Sequence, residues 1–170
     1  METTTVRLYS LAARQAKTYL AAAAFIAGNI AVPQLCHLIP DGGRILLPIY
    51  FFTLLGAYKY GWRVGLLTAV LSPVVNAALF GMPAVAALPV MVFKSVLAAL
   101  AASYAASRTG KITLLIMAAV VAFYQIAGSL FEWAWTGSAA AAMQDFRTGL
   151  AGMAVQIVGV WAILRYIFKN

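Results

Sequence analysis

Charge is scarce in this chain, and acidic charge scarcest. Of 170 residues only 9% are charged, with four aspartates and glutamates against twelve lysines and arginines. Soluble globular domains carry about 25% charged residues, so an ordinary water-facing surface is excluded. There is one cysteine and one histidine. Cys36 therefore has no partner for an internal disulfide, and no second Cys or His for a zinc site. Cys36 and His37 are neighbours, but a lone pair of this kind at a helix end ordinarily marks an interface rather than a haem or corrin ligand. No serine and histidine stand as nucleophile and base, and neither a paired-carboxylate nor an H-E-x-x-H signature occurs. Glycine-rich phosphate loops are missing too, so the chain cannot hydrolyse ATP by itself. It reads as a non-enzyme that needs no cofactor.

What is there is apolar. The chain is 64% hydrophobic, with a mean hydropathy of +0.91, which identifies an all-α integral membrane protein. Six helical spans can be marked by polar, Gly or Pro breaks, at about 17–39, 44–60, 63–80, 84–107, 111–135 and 146–168. A membrane barrel would alternate polar and apolar residues over about ten positions, which these do not. Each span needs about 20 residues to cross about 30 Å of hydrocarbon, so residues 1–170 form a single membrane domain. The stretch "LAAAAFIAGNIA" resembles a signal-peptide core. Its apolarity continues to Ile39, however, and further spans follow, so it is read as the first span.

The net charge of +8 would suggest nucleic-acid binding in a soluble protein, but here the basic residues lie singly between apolar runs. Arg7, Arg14, Lys17, Lys59, Arg63, Arg108, Lys111, Arg165 and Lys169 all fall on one side of a six-span zigzag. The other side has only Arg44 and Arg147, near Asp41 and Asp145, and the uncharged turn "FGMPA". By the positive-inside rule both termini are cytoplasmic. Pro33, Pro48, Pro73 and Pro89 fall inside spans, where each removes a backbone donor. They are either the ordinary prolines of membrane helices or bends that make room for a cavity.

Counting depth at 1.5 Å per residue puts Lys94, Gln125 and Gln156 at a similar middle level, with Asn76 and Glu132 nearer the outside. Gln125 and Glu132 share one helical face, with the small residues Gly128 and Ser129 between them. An ionisable group at this depth costs about 2.5–3.5 kcal/mol, so it faces the bundle interior or a wet cavity. Two readings stand for Glu132 and Lys94: a structural ion pair, or polar anchors in a cavity open to the outside. Depth counting argues against direct contact, since the two Cα positions differ by more than one helical turn. Aromatic residues surround this tier, among them Tyr50, Tyr124, Phe131, Trp133 and Trp135. The two tryptophans also suit an interfacial belt, and at most one of them faces a cavity. On span one, Ala23, Ala27 and Ala31 recur every four residues, beside Ala24 and Gly28. Such a row serves either internal packing or the docking of a partner.

These features, and the run "LPIYFFTLLGAYKYGWRVGLLTAVLSPVVNAALFG" over spans two and three, resemble the substrate-binding S components of energy-coupling-factor (ECF) vitamin transporters. The resemblance covers nearly the whole chain. It implies a small binder in the bacterial inner membrane that works with a membrane coupling protein and two cytoplasmic ATPases. It also implies that Ala23, Ala27 and Ala31 form the coupling face and that the outer ends of spans four to six line the pocket. Signatures of biotin, riboflavin or thiamine binders are not evident, so the vitamin stays open. On this reading Asn76, Lys94, Gln125, Glu132 and Gln156 bind polar groups of a vitamin or vitamin precursor, while Tyr124 and Trp133 stack on its ring. Another class of function fits the same size and span number: a non-transporting scaffold of the rod-shape-determining type. A small pore is disfavoured by the sealed, apolar inner halves. Glu132→Ala and Lys94→Ala are each expected to weaken ligand binding by about tenfold or more; unchanged affinity removes that residue from the site.

Overall fold

In the absence of water a spanning backbone has to satisfy its own hydrogen bonds, and helices dominate accordingly. The computed structural model describes residues 4–5, 11–12 and 14–168; Arg7 and Lys169 lie outside the described residues. The long helices are α1 (Ala16–Cys36), α4 (Trp62–Phe80), α5 (Leu88–Thr109) and α6 (Leu114–Thr136). Shorter ones are α2 (Gly42–Leu46), α3 (Phe51–Tyr60), α7 (Ala139–Ala142), α8 (Gln144–Thr148) and α9 (Leu150–Ala162), which runs on into a π-helical turn at Ile163–Ile167. Strands β1 (Thr4–Thr5) and β2 (Lys111–Ile112) pair antiparallel.

Among the described residues five helical segments are long and apolar enough to cross a membrane: Ala16–Cys36, Trp62–Phe80, Val85–Thr109, Leu114–Thr136 and Leu150–Ile167. They fall within a few residues of five expected spans. The expected span at 44–60 is instead broken into α2, a 3-10 turn at Pro48–Tyr50, and the ten-residue α3. Pro48 is the physical reason. It lacks an N–H and crowds the residue before it, and Leu47 has gone to the left-handed region at φ 46°, costly for a residue with a Cβ. The other prolines act differently. Pro33 and Pro73 lie within continuous helices, and Pro89 sits in the first turn of α5, where a missing N–H costs nothing.

A break inside an apolar bundle exposes backbone groups that need partners. Asn29, fully buried on α1, supplies some of them. Its Oδ1 accepts from the Phe52 N–H at 3.2 Å, and its Nδ2 donates to Thr53 Oγ1 at 3.0 Å and Ser72 Oγ at 3.2 Å. Asn76 Nδ2 in turn donates to the Asn29 carbonyl at 2.9 Å. One amide thus ties α1, α3 and α4 together. Close packing reinforces the join: a Cβ on Gly65 would lie 2.5 Å from the Cβ of Ala57.

At one end of the bundle the basic loops meet. Leu11 N–H donates to the Tyr60 carbonyl at 3.4 Å, Arg63 to the Leu11 carbonyl at 3.4 Å, and the Tyr58 hydroxyl to the Lys111 carbonyl at 2.5 Å. Lys59 donates to the Phe168 carbonyl at 3.4 Å and lies over the Phe168 ring. This is called the basic end below. Asn29→Ala is expected to lower stability by about 1–3 kcal/mol, since it leaves buried donors and acceptors unmatched. Unfolding in detergent measures this, and an unchanged midpoint would show that Asn29 does not hold the break.

Candidate functional site

The end opposite the basic loops holds a cluster of charged side chains around the buried Lys94. Lys94, six residues into α5, is 2% exposed. Its Nζ lies 2.5 Å from Glu132 Oε2 on α6 and 2.9 Å from Asp145 Oδ2 on α8. The carboxylates are less enclosed, with side chains 19% and 18% exposed. Direct pairing corrects the expectation from depth. Measured from this end, Lys94 lies about 9 Å and Glu132 about 6 Å along their helices, so the offset is under one turn. Side chains in a helix also lean toward its N-terminus. In two antiparallel helices that tilts Lys94 and Glu132 toward each other.

Room for the lysine comes from Gly128. A Cβ there would lie 2.4 Å from Lys94 Cγ, so the lysine stem crosses α6 where no side chain stands. Asp145 is the member that sequence reasoning misses, because it stands outside the expected spans beside Arg147. The available signal was scarcity: in a chain with four acidic residues, each one carries weight.

Deeper, a second polar group runs through buried amides. Gln156 Nε2 on α9 donates to the Leu47 carbonyl at 3.1 Å, which can only accept. That orientation turns Gln156 Oε1 toward Tyr124, whose hydroxyl donates to it at 2.5 Å. The Tyr124 oxygen then accepts from Gln125 Nε2 at 3.3 Å. Every step has one direction, fixed by the carbonyl at the break. Its end is Gln125 Oε1, which has no hydrogen-bond partner among the described residues, like the buried Ser95 Oγ and Ser129 Oγ. Gln125, Ser129 and Glu132 share a face of α6, and Ser95 follows Lys94 on α5. The α6 face against which Lys94 packs therefore carries Glu132 and two of the unmatched oxygens, Gln125 Oε1 and Ser129 Oγ. Phe93 and Phe131, next in sequence to Lys94 and Glu132, stack across the α5–α6 seam with centroids 3.9 Å apart, and Trp135 extends the stack.

The other expected site residues lie elsewhere. Asn76 is buried between α1 and α4, donating to the Asn29 and Ser72 carbonyls and accepting from Gln34 at 3.4 Å. Trp133 is 53% exposed, on the outside of the bundle, as is Trp135. Ala23, Ala27 and Ala31 are all exposed. The face that α1 turns inward is Thr18, Ala22, Phe25, Asn29, Pro33 and Cys36, so the alanine row does not serve internal packing.

No protein-family model matches the chain, and neither a curated protein nor a solved structure matches it. Its apolar helices make it an all-helical, multi-pass membrane protein. Lys94→Met is expected to destabilise the protein by about 3 kcal/mol, the lower end for removing one partner of a buried ion pair, because the carboxylates are partly solvated. Adding Glu132→Gln and Asp145→Asn is expected to recover most of that loss in thermal unfolding. A triple variant no more stable than Lys94→Met would mean that packing, not charge, sets the cost.

Proposed function

We propose that this protein is the substrate-capturing subunit of an ATP-driven importer of the ECF S-component type, binding a small vitamin-like molecule through the α5–α6 seam. The observation that carries this reading is the pair of buried, unpartnered oxygens Gln125 Oε1 and Ser129 Oγ, lying on the α6 face against which Lys94 packs. Polar groups buried without partners are rare, and each calls for a ligand or water to complete it. The geometry of the chain ends is in keeping with six traverses and cytoplasmic termini. Leu11 and Phe168 both contact the Lys59–Arg63 segment, which needs an even number of crossings, and the broken α2–α3 segment supplies the sixth. The basic residues at that end favour the cytoplasmic side, and the bacterial inner membrane is the setting that follows. The exposed row Ala23, Ala27 and Ala31 offers a surface on which a coupling protein can approach closely. The two ATPases would then supply the energy that this chain cannot.

One observation favours a second reading, the non-transporting scaffold: Lys94 already has both its carboxylates, as a purely structural cluster would. The two readings separate on purification. Native mass spectrometry of the full chain in detergent is expected to find a non-lipid small molecule at about one per protein, with ATPase subunits co-isolating from the native membrane. Protein that carries only lipid, and that brings down no ATPase, would overturn the importer reading.

A further inference from the structure

The charges in the seam do not balance. One ammonium faces two carboxylates, and Lys94 meets each through a single oxygen, Glu132 Oε2 and Asp145 Oδ2. No other cation among the described residues offsets the excess. Arg147 is exposed and makes no ion pair, while Arg44 is turned to Asp41 at 3.7 Å on the surface. Among the described residues Glu132 Oε1 and Asp145 Oδ1 have no hydrogen-bond or ion-pair partner, and one negative charge is left over on side chains 19% and 18% exposed. A partly buried charge of this kind favours a bound opposite charge.

We propose that the ligand of this site is a cation, an amine or amidine carried on a flat ring, received by Glu132 Oε1 and Asp145 Oδ1. The inference rests on the reading of the seam as a ligand site and adds the chemical class of the ligand. An independent feature agrees with it. Gln125, fully buried, presents an oxygen with no partner, and the Leu47–Gln156–Tyr124 hydrogen bonds fix that orientation. Amide and carboxylate oxygens only accept, and the unmatched Ser129 hydroxyl can accept as well as donate. A site of acceptors is complemented by a donor-rich ligand. Protonated amines and amidines carry several N–H donors and no acceptor, whereas a carboxylate or phosphate ligand would set acceptor against acceptor and add repulsion. Phe93 and Phe131, next in sequence to Lys94 and Glu132, stack on each other beside the seam and give it an apolar flank for a flat ring. Lys94 keeps its place in the complex, holding the two carboxylates together while the ligand neutralises the remainder.

Three probes of nearly equal shape test the charge: benzamidine (a cation), benzamide (neutral) and benzoate (an anion), each titrated into the dialysed full chain in detergent. Benzamidine is expected to bind at least about tenfold more tightly than benzamide, with benzoate weakest, as the charge complementarity requires. Glu132→Gln and Asp145→Asn are each expected to reduce benzamidine affinity by about tenfold, with helix content and elution volume unchanged. Should Glu132→Gln fail to fold, Asp145→Asn, on the short helix α8, gives the same readout. Benzoate or benzamide binding as tightly as benzamidine, or a neutral or anionic molecule co-purifying with the protein, would overturn the cation assignment and leave the ligand site standing. Benzamidine binding that neither substitution weakens would likewise overturn it. If no probe binds and nothing small co-purifies, the ligand-site reading falls along with it.

Discussion

An ammonium group inside a membrane has to find its counter-charge within the protein, and the arrangement around Lys94 follows from that demand. Glu132 supplies it from the neighbouring helix. Asp145 supplies it from α8, a five-residue helix with no buried residue of its own, so the ion pair is a principal tie between α8 and the seam. The lysine stem in turn requires the missing side chain at Gly128. The connection from α6 to α9 is therefore held by this charge contact together with the apolar packing of Ala142 and Phe146.

The second organising constraint is the break at Leu47–Pro48. A proline in the interior of a spanning helix leaves backbone groups without partners in a medium that offers none. Buried amides meet the break from two sides. Asn29 satisfies the Phe52 N–H from α1, and Gln156 donates to the Leu47 carbonyl from α9. Close approach makes the second contact possible, since a Cβ on Gly152 would lie 2.5 Å from the Leu46 carbonyl. The break also has a chemical consequence at a distance. Because a carbonyl cannot donate, it orients Gln156, then Tyr124, then Gln125, and leaves an acceptor facing the seam.

The sequence made the helices legible wherever hydropathy alone decides them: α1, α4, α5, α6 and α9 fall close to where the apolar runs put them. It was less informative at Pro48, because a proline in an apolar run is compatible with a bend, a first turn or a break. In this chain Pro33 lies within a continuous helix, Pro89 in a first turn and Pro48 at a break, and tertiary partners such as Asn29 decide among these outcomes. Lys94 and Glu132 stood out because charge in an apolar run has so few explanations. Their contact did not, since depth counting ignores the lean of side chains toward the helix N-terminus. Asp145 was hidden by its position outside any span. Asn76 was legible as a buried polar residue, but its partners on α1 come from the fold. The inward face of α1, which leaves the alanines outside, depends likewise on where Phe25 and Asn29 pack.

The buried polar residues divide the molecule into two unlike halves. In α1, α3 and α4 the side chains of the buried Asn29, Thr53, Thr68, Ser72 and Asn76 are all hydrogen-bonded, to side chains or to backbone carbonyls, and tight contacts such as Gly65 against Ala57 leave the helices little freedom to shift. In α5, α6 and α9 the amides form a directed chain that stops at an unmatched oxygen, and Ser95 and Ser129 are unmatched too. A fully satisfied network rigidifies, whereas an unsatisfied one retains binding capacity at a cost in stability. The first half is thus suited to present a fixed outer surface, including the alanine row of α1. Among the described residues, the buried polar groups that folding leaves without partners are concentrated in the second half.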